Sequence, residues 1–261
     1  MPNFHIRPEL QPLFPLGRQM DHWLNSDSAG VLLARGPAGR ELRIIEAGEQ
    51  VFFLKRTGRE TLWRHLVMLF RGHRPKSGAL REVQMLHLLK SSGFETMEPV
   101  AWGEQRLGLL TVRGFVLVRK VPGKELAGLF DESEGHMQFR LVREMGHLVG
   151  RLHARGFFHP VRLKDLIATN DGLVLIDRET SKPWKSRFFE WRCRSSLIRA
   201  LRRMLRDGHP IGPGSVCAFL LGYRDGMSEF RQVRPRELAS KICADLRKTK
   251  RKPFNQAVSY R

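Results

Sequence analysis

The sequence predicts an α+β protein: a five-stranded antiparallel sheet with one helix in its amino-terminal part, then a mainly helical carboxy-terminal part. Short β-rich runs separated by turn-sized gaps predict the sheet. One well-formed amphipathic run among them predicts the helix. Beyond Val121-Pro122-Gly123, apolar residues recur at helical rather than alternate spacing. With 261 residues the chain is long enough for one large domain or two small lobes, and 41% hydrophobic with 28% charged residues suits a globular protein.

Residues 1–28, rich in proline and punctuated by Phe4, Leu10, Leu13, Phe14 and Leu16, read as an irregular arm. Strand-like runs follow at 31–35, 41–46 and 51–56. Gly36-Pro37-Ala38-Gly39 and Ala47-Gly48-Glu49-Gln50 separate them, so the three form an antiparallel meander. A short helix is expected at 61–70. Leu80, Val83, Leu86 and Leu89 mark a helix over 77–89 that Gly93 closes, and two more strands lie at 98–103 and 114–119. The second lobe, 121–247, opens with a helix over 139–155 carrying Leu141, Met145, Leu148 and Leu152 on one face. A small hairpin follows, 166–169 and 173–176, joined by Asn170-Asp171-Gly172, which is strong turn chemistry. Helices at 186–206, 214–223 and 236–248 complete the chain, with 248–261 as a basic tail.

Lys+Arg 46 against Asp+Glu 26 gives a formal charge of +20. Such a balance favours polyanionic partners: nucleic acid, an anionic leaflet or a phosphorylated glycolipid. Cys193, Cys217 and Cys243 form no CxxC pair, which argues against a disulfide framework or zinc site and for a reducing cytosol. No apolar run approaches the ~20 residues that span a bilayer. Met1-Pro2-Asn3-Phe4-His5 does not open like a signal peptide.

Three strands, a helix, two strands and a helical lobe holding a short hairpin is the layout of a protein kinase, so a protein-kinase-like two-lobed fold is expected. Lys55 lies near the end of the third strand, where kinase chemistry needs a cation for the nucleotide phosphates, oriented by a carboxylate on the next helix. Glu82 is the acid within the periodic part of that helix. Each alone also suits a plainer role, a strand-edge charge and a solvated helix residue. Their order along the chain joins them. Gly36 and Gly39 either let backbone N–H groups approach phosphate or form a simple hairpin turn, and Pro37 removes one donor from the loop.

Leu152-His153-Ala154-Arg155-Gly156-Phe157-Phe158-His159, then a hairpin, then an apolar strand ending Ile176-Asp177, forms an LHxxGxxH-to-ID block. It resembles the catalytic loop and metal-binding aspartate of the lipopolysaccharide kinases, the Kdo and heptose kinase family of WaaP and InaA type. Phe219-Leu220-Leu221-Gly222-Tyr223-Arg224 resembles the FLxxYR stretch of that family. The resemblance implies ATP- and Mg2+-dependent phosphorylation of a sugar hydroxyl on the lipopolysaccharide core at the cytoplasmic face of the inner membrane. His159 would be the loop histidine and Asp177 the Mg2+ ligand. A strand-end turn carboxylate is the plainer reading of Asp177.

The departures matter as much. Two residues after the loop histidine the family has the aspartate that accepts the substrate proton, and this chain has Val161. The second metal ligand, five residues on, becomes Leu166. A register on Lys164-Asp165 through Asn170 fits H-R-D-L-x-x-x-N without the histidine, but leaves too few residues before Asp177 for two strands and a turn. Asp165, immediately before the hairpin, is then the candidate displaced base.

Helix 186–206 interleaves Arg187, Arg192, Arg194, Arg199, Arg202, Arg203 and Arg206 with apolar residues. Such a face suits phosphoglycolipid or a leaflet, and equally a basic solvated surface. No RRM, KH, helix-turn-helix or zinc-finger pattern supports nucleic acid. Two readings stand: an active lipopolysaccharide-core kinase, or a catalytically impaired kinase fold that binds an anionic glycolipid or a protein.

Overall fold

The computed structural model describes residues 3–14, 20–36, 39–58, 70, 76–108, 112–176, 188–209, 211–227 and 240. The expected helices at 61–70 and 236–248 lie outside these residues, save Phe70 and Ser240, as does the tail. The chain divides into two compact units, residues 1–122 with 174–180, and residues 123–173 with 181–261.

The first unit is built on an antiparallel sheet of β1 (Asn3–Ile6), β2 (Val31–Gly36), β3 (Arg40–Ala47), β4 (Gln50–Thr57), β5 (Pro99–Arg106) and β6 (Val112–Arg119), in the order β1-β5-β6-β4-β3-β2. The sheet therefore has six strands rather than the expected five. The extra strand comes from the supposedly irregular arm, where β1 pairs with β5 from Asn3 opposite Glu104 to Ile6 opposite Ala101.

Period-2 alternation sends successive residues of a strand to opposite faces. On β4 and β6, Phe52, Leu54, Phe115 and Leu117 join one core, while Phe53, Val116 and Val118 join another. Both faces are apolar, so both need a cover. The helix α2 (Gly78–Ser91) covers the second with Val83 and Leu86. The arm covers the first: Leu10, Phe14 and, from the short helix α1 (Met20–Asn25), Trp23 and Leu24 are buried there. Phe14 packs edge-on to both Trp23 and Phe52, and Trp23 stacks on Phe115 at 5.7 Å.

Two arginines face inward on the arm side. Arg56 donates to the carbonyls of Trp23 (2.7 Å) and Ser26 (2.5 Å), closing the end of α1. Arg43 donates to the carbonyls of Asp27 and Gly30. Glu41 accepts from both arginines. Burial pushes its carboxyl up, but the hydrogen bonds and charges of Arg43 and Arg56 outweigh that and hold it below the usual glutamate range.

The second unit contains β7 (Lys124–Glu125), α3 (Leu126–Glu132), α4 (Gly135–Ala154), the hairpin of β8 (Leu166–Thr169) and β9 (Gly172–Leu175), α5 (Phe189–Arg206) and α6 (Pro213–Met227). β7 pairs with β8, Lys124 opposite Ala168. The second half of β9 belongs to the first unit, where Leu175 exchanges backbone hydrogen bonds with Glu95 and Met97.

Helices α4 and α6 cross backbone to backbone. A Cβ on Gly146 would fall on the carbonyl of Phe219, and one on Gly150 on that of Tyr223. Cβ atoms on Gly222 and Gly226 would fall on the carbonyls of Arg143 and His147. The glycines come as two G-x-x-x-G pairs, Gly146/Gly150 and Gly222/Gly226, one on each helix. They serve by lacking a side chain, which lets the axes approach.

This crossing predicts opposite signs for one substitution at two helical sites. Gly222→Ala should lower unfolding free energy by about 1–3 kcal/mol, as overpacking does. Gly128→Ala on α3, where a Cβ would meet nothing within 4 Å, should raise it by about 0.5–1 kcal/mol. Urea titration of the two variants decides it, and effects of equal sign would remove the close-packing account.

Candidate functional site: a lysine–glutamate pair and a braced loop

In the first unit, Lys55 Nζ lies 2.7 Å from Glu82 Oε1. The pair follows from local structure. Lys55 falls on the face of β4 opposite Phe52 and Leu54, the face that α2 covers. Ser77 caps the start of α2, accepting from Leu80 N–H at 3.2 Å, and its own N–H donates to Glu104 Oε2 at 3.0 Å. Gly114 on β6 leaves room for that cap, since a Cβ there would collide with the Ser77 side chain. With the first turn fixed on the sheet, Glu82 sits one turn on and faces β4. Its side chain is 4% exposed and that of Lys55 19%. A buried carboxylate holding a partly exposed ammonium is an arrangement that can present positive charge to a phosphate.

In the second unit, α4 ends at His153-Ala154 and the chain turns through Gly156 at φ 87°. His153 is fully buried. Its Nδ1 lies 2.9 Å from Tyr223 Oη and its Nε2 3.0 Å from Ser196 Oγ. Burial drives its imidazole down to about 3, so it is neutral in the folded protein. Burial also raises the Tyr223 phenol, with Cys193 beside it adding to the effect. One histidine thus ties α4 to α5 and α6 where the loop begins.

The loop then runs through His159, half-buried, to Val161, which is 1% exposed. The position that the sequence resemblance assigns to a proton-accepting aspartate is a core position here. Arg162 and Asp165 close on each other around the 3-10 turn Leu163–Asp165. Asp165 Oδ2 accepts from the Arg162 backbone N–H at 3.0 Å, and Oδ1 accepts from Nη2 at 2.8 Å and Nε at 3.1 Å. Nε also reaches Oδ2 at 3.3 Å. A carboxylate offers about four acceptor positions, and Arg162 supplies four contacts. Asn170 sits exposed in the β8–β9 turn, where the Thr169 hydroxyl accepts from Asp171 N–H. Asn170 thus lies within the hairpin turn rather than ahead of the hairpin.

A sequence model of the Lipopolysaccharide kinase (Kdo/WaaP) family matches residues 35–187, more than half of the chain. The chain belongs to the lipopolysaccharide kinase family. The solved structure of WaaP in complex with acyl carrier protein is similar over 95% of this chain and 97% of that one, with a TM-score of 0.66 and 17% identity. Amicoumacin kinase hAmiN, solved with AMP-PNP, Ca2+ and Ami, is similar over 93% and 89%, with a TM-score of 0.53 and 10% identity. These likenesses show a protein-kinase-like fold. No curated protein sequence matches.

For this lipopolysaccharide kinase family chain, the structure brings Lys55 and Glu82 together. Gly36 and Gly39 flank the β2–β3 turn, Gly39 at φ 73°, and Gly36 pairs opposite Arg40. Asp177 lies just outside the described residues, immediately after Ile176, with β9 ending at Leu175. Among the described residues, no group of three or more His, Cys, Asp or Glu side chains gathers to hold a metal. Sequence reasoning missed Arg162 as the partner of Asp165, although its i,i+3 spacing was a readable signal. Ser196 left no signal, because it meets His153 only through tertiary packing.

The buried imidazole sets a pH dependence. Above pH 6.5 neither the folded nor the unfolded chain protonates His153. Between 6.5 and about 3 the unfolded chain takes up a proton that the folded one refuses, so stability falls as pH falls, by as much as about 5 kcal/mol at the acid end. His153→Gln should be less stable at pH 7 yet lose less between pH 7 and pH 4.5. Parallel loss in wild type and variant, by urea midpoint, would assign the acid sensitivity elsewhere.

Proposed function

We propose that this chain transfers the terminal phosphoryl group of ATP, with Mg2+, to a sugar hydroxyl of the lipopolysaccharide core or another anionic glycoconjugate, acting in the cytoplasm and peripherally at the inner membrane. The observation that carries the reading is the 2.7 Å contact of Lys55 with Glu82, in a chain of the lipopolysaccharide kinase family.

Lys55, braced by Glu82, would bind the nucleotide phosphates. Backbone N–H groups about Gly36 and Gly39 would approach them from the β2–β3 turn. Asp177 would hold Mg2+, which when bound neutralises phosphate oxygens as charge shifts toward the leaving nucleotide. His159 would support the acceptor side of the loop. In the transfer an O–P bond forms from the sugar hydroxyl, the bond to the bridging oxygen of ADP breaks, and the hydroxyl proton must leave. Asp165 is the local carboxylate that could take that proton, and it would have to give up contacts with Arg162 to do so.

A second reading has its own observation. With Val161 in the core and Asp165 engaged by Arg162, the loop is organised without a free carboxylate at the family's base position. That favours a catalytically impaired kinase fold that binds an anionic glycolipid or a protein partner.

Calorimetric titration with ATP and Mg2+, followed by turnover on core oligosaccharide, separates the two. Under the kinase reading the wild type binds and turns over. Lys55→Met and Asp177→Ala should then lose Mg2+-dependent binding while keeping the wild-type fold by circular dichroism. Unchanged binding in both variants would overturn these assignments.

Asp165→Asn tests the base. General-base assistance is typically worth ~10²–10⁴-fold, so turnover should fall by about that much with little change in nucleotide affinity. Arg162→Gln, which leaves the carboxylate in place, should keep most of the turnover. If both variants instead lose activity and stability together, Asp165 is a brace for the loop rather than a base.

A further inference from the structure

We infer that the exposed face of α5 is a docking surface for an anionic lipid leaflet, with Trp191 seated at the headgroup level and Arg199, Arg202 and Arg206 on the lipid phosphates. The inference rests on the membrane-associated acceptor proposed above.

One face of α5 is committed to the core: Cys193, Leu197, Ile198, Ala200, Leu201 and Met204 are buried. At 100° per residue, Trp191, Ser195, Arg199, Arg202 and Arg206 fall along a single opposite stripe. Trp191 is 60% exposed, and the three arginines are exposed. From Trp191 to Arg206 the stripe runs ~22 Å at 1.5 Å per residue. The two acids that adjoin the stripe in sequence, Glu190 before Trp191 and Asp207 after Arg206, each lie ~100° round the helix from their neighbour.

The chemistry of this stripe selects its occupant. Arginine binds phosphate through a planar fork and stays charged throughout the physiological range. A large exposed indole gains little in water, whereas the boundary between headgroups and acyl chains suits its apolar body and polar N–H. An aromatic in line with arginines on a helix whose other face is anchored in the fold is the pattern of an interfacial contact. Nucleic acid could engage the arginines too, through phosphates or guanine edges. The stripe, however, carries one ring rather than the several on which successive bases stack, and a single indole in line with arginines suits the headgroup boundary better. The net charge of +20 adds attraction to a negative leaflet at long range.

The location fits the proposed activity. Asp207, directly after α5, lies 3.4 Å from Lys164 Nζ and 4.0 Å from Arg162 Nη1. The carboxy-terminal end of the stripe therefore adjoins the loop that carries Asp165. A leaflet held by α5 would bring membrane-anchored sugars close to that loop.

Co-sedimentation of the full chain with vesicles, without nucleotide, tests the inference. Vesicles of phosphatidylcholine alone are compared with vesicles that also contain phosphatidylglycerol. The wild type should bind the anionic vesicles and spare the neutral ones. Each cation near such a surface is worth about fivefold in partitioning, so Arg199→Gln/Arg202→Gln/Arg206→Gln should weaken binding by about a hundredfold. Trp191→Ser should weaken it as well. A charge-matched control at exposed sites off the stripe, Lys90→Gln/Arg140→Gln/Arg224→Gln, should change it far less. All positions are at the surface, and thermal melts confirm that the variants fold.

Equal losses in the stripe and control variants would reduce the effect to net charge and overturn the docking surface. Absence of vesicle binding by the wild type would overturn it too, as would binding of duplex DNA or an acidic protein in place of vesicles. Vesicle binding by a protein that transfers no phosphate would leave this surface standing and remove the kinase reading. Phosphoryl transfer to detergent-dispersed core without vesicle binding would do the reverse.

Discussion

Backbone contact between α4 and α6 is the constraint on which the second unit depends. Four glycines allow it, two on each helix, and a methyl group at any of them would meet a carbonyl of the facing helix. The approach carries Tyr223 to within 2.9 Å of His153, and Ser196 of α5 meets the other ring nitrogen. A neutral histidine with both nitrogens engaged in the interior fixes where α4 ends, and so where the loop to His159, Val161 and Asp165 begins. The FLxxYR stretch has a physical meaning in this setting. Phe219, Leu220 and Tyr223 are buried, and Gly222 is a point of closest approach.

The first unit is governed by a different requirement. β6 is buried on both faces, and a strand of that kind needs two covers. The helix that supplies one cover also carries Glu82, so the packing that buries Val83 and Leu86 delivers a carboxylate to Lys55. The other cover is the arm, secured by aromatic packing and by Arg56 and Arg43 donating to carbonyls at and beyond the end of α1. These arginines are 7% and 3% exposed, and burying charge at that depth is tolerable because Glu41 and several carbonyls satisfy it. The lysine–glutamate pair is thus held from both sides of the sheet.

Legibility in the sequence followed the range of the interactions. Lys55 and Glu82 could be paired because strand alternation and helical period each assign a face, and the two elements follow one another in the chain. The loop and its hairpin were readable because Asn170-Asp171-Gly172 specifies a turn locally. β1 was not, because its pairing with β5 spans about a hundred residues and a four-residue run announces no partner. α1, α3 and β7 are too short to show a period. Gly146, Gly150, Gly222 and Gly226 were visible as G-x-x-x-G spacings, yet spacing alone does not say which helix each pair faces. Asp165 looked like the acid nearest a vacant catalytic position. Its engagement with Arg162 emerges only from the fold of the turn between them.

A buried valine, Val161, where the proposed kinase reading looks for a proton-accepting aspartate, has consequences that can be weighed. A valine only 1% exposed contributes about 1.5–3 kcal/mol relative to an exposed one. An aspartate on the same inward path would need a partner or would remain protonated. On the proposed kinase reading, the loop gains the burial of a valine and forgoes a base at that position. Phosphoryl transfer tolerates that loss better than most chemistries, because its transition state is stabilised chiefly by positioning and by positive charge around the transferring group. This chain supplies positive charge in excess, +20 overall, with Lys55 braced by Glu82. A kinase built this way would rely on holding donor and acceptor together rather than on withdrawing a proton, and its rate would depend most on whatever brings the acceptor sugar to the loop.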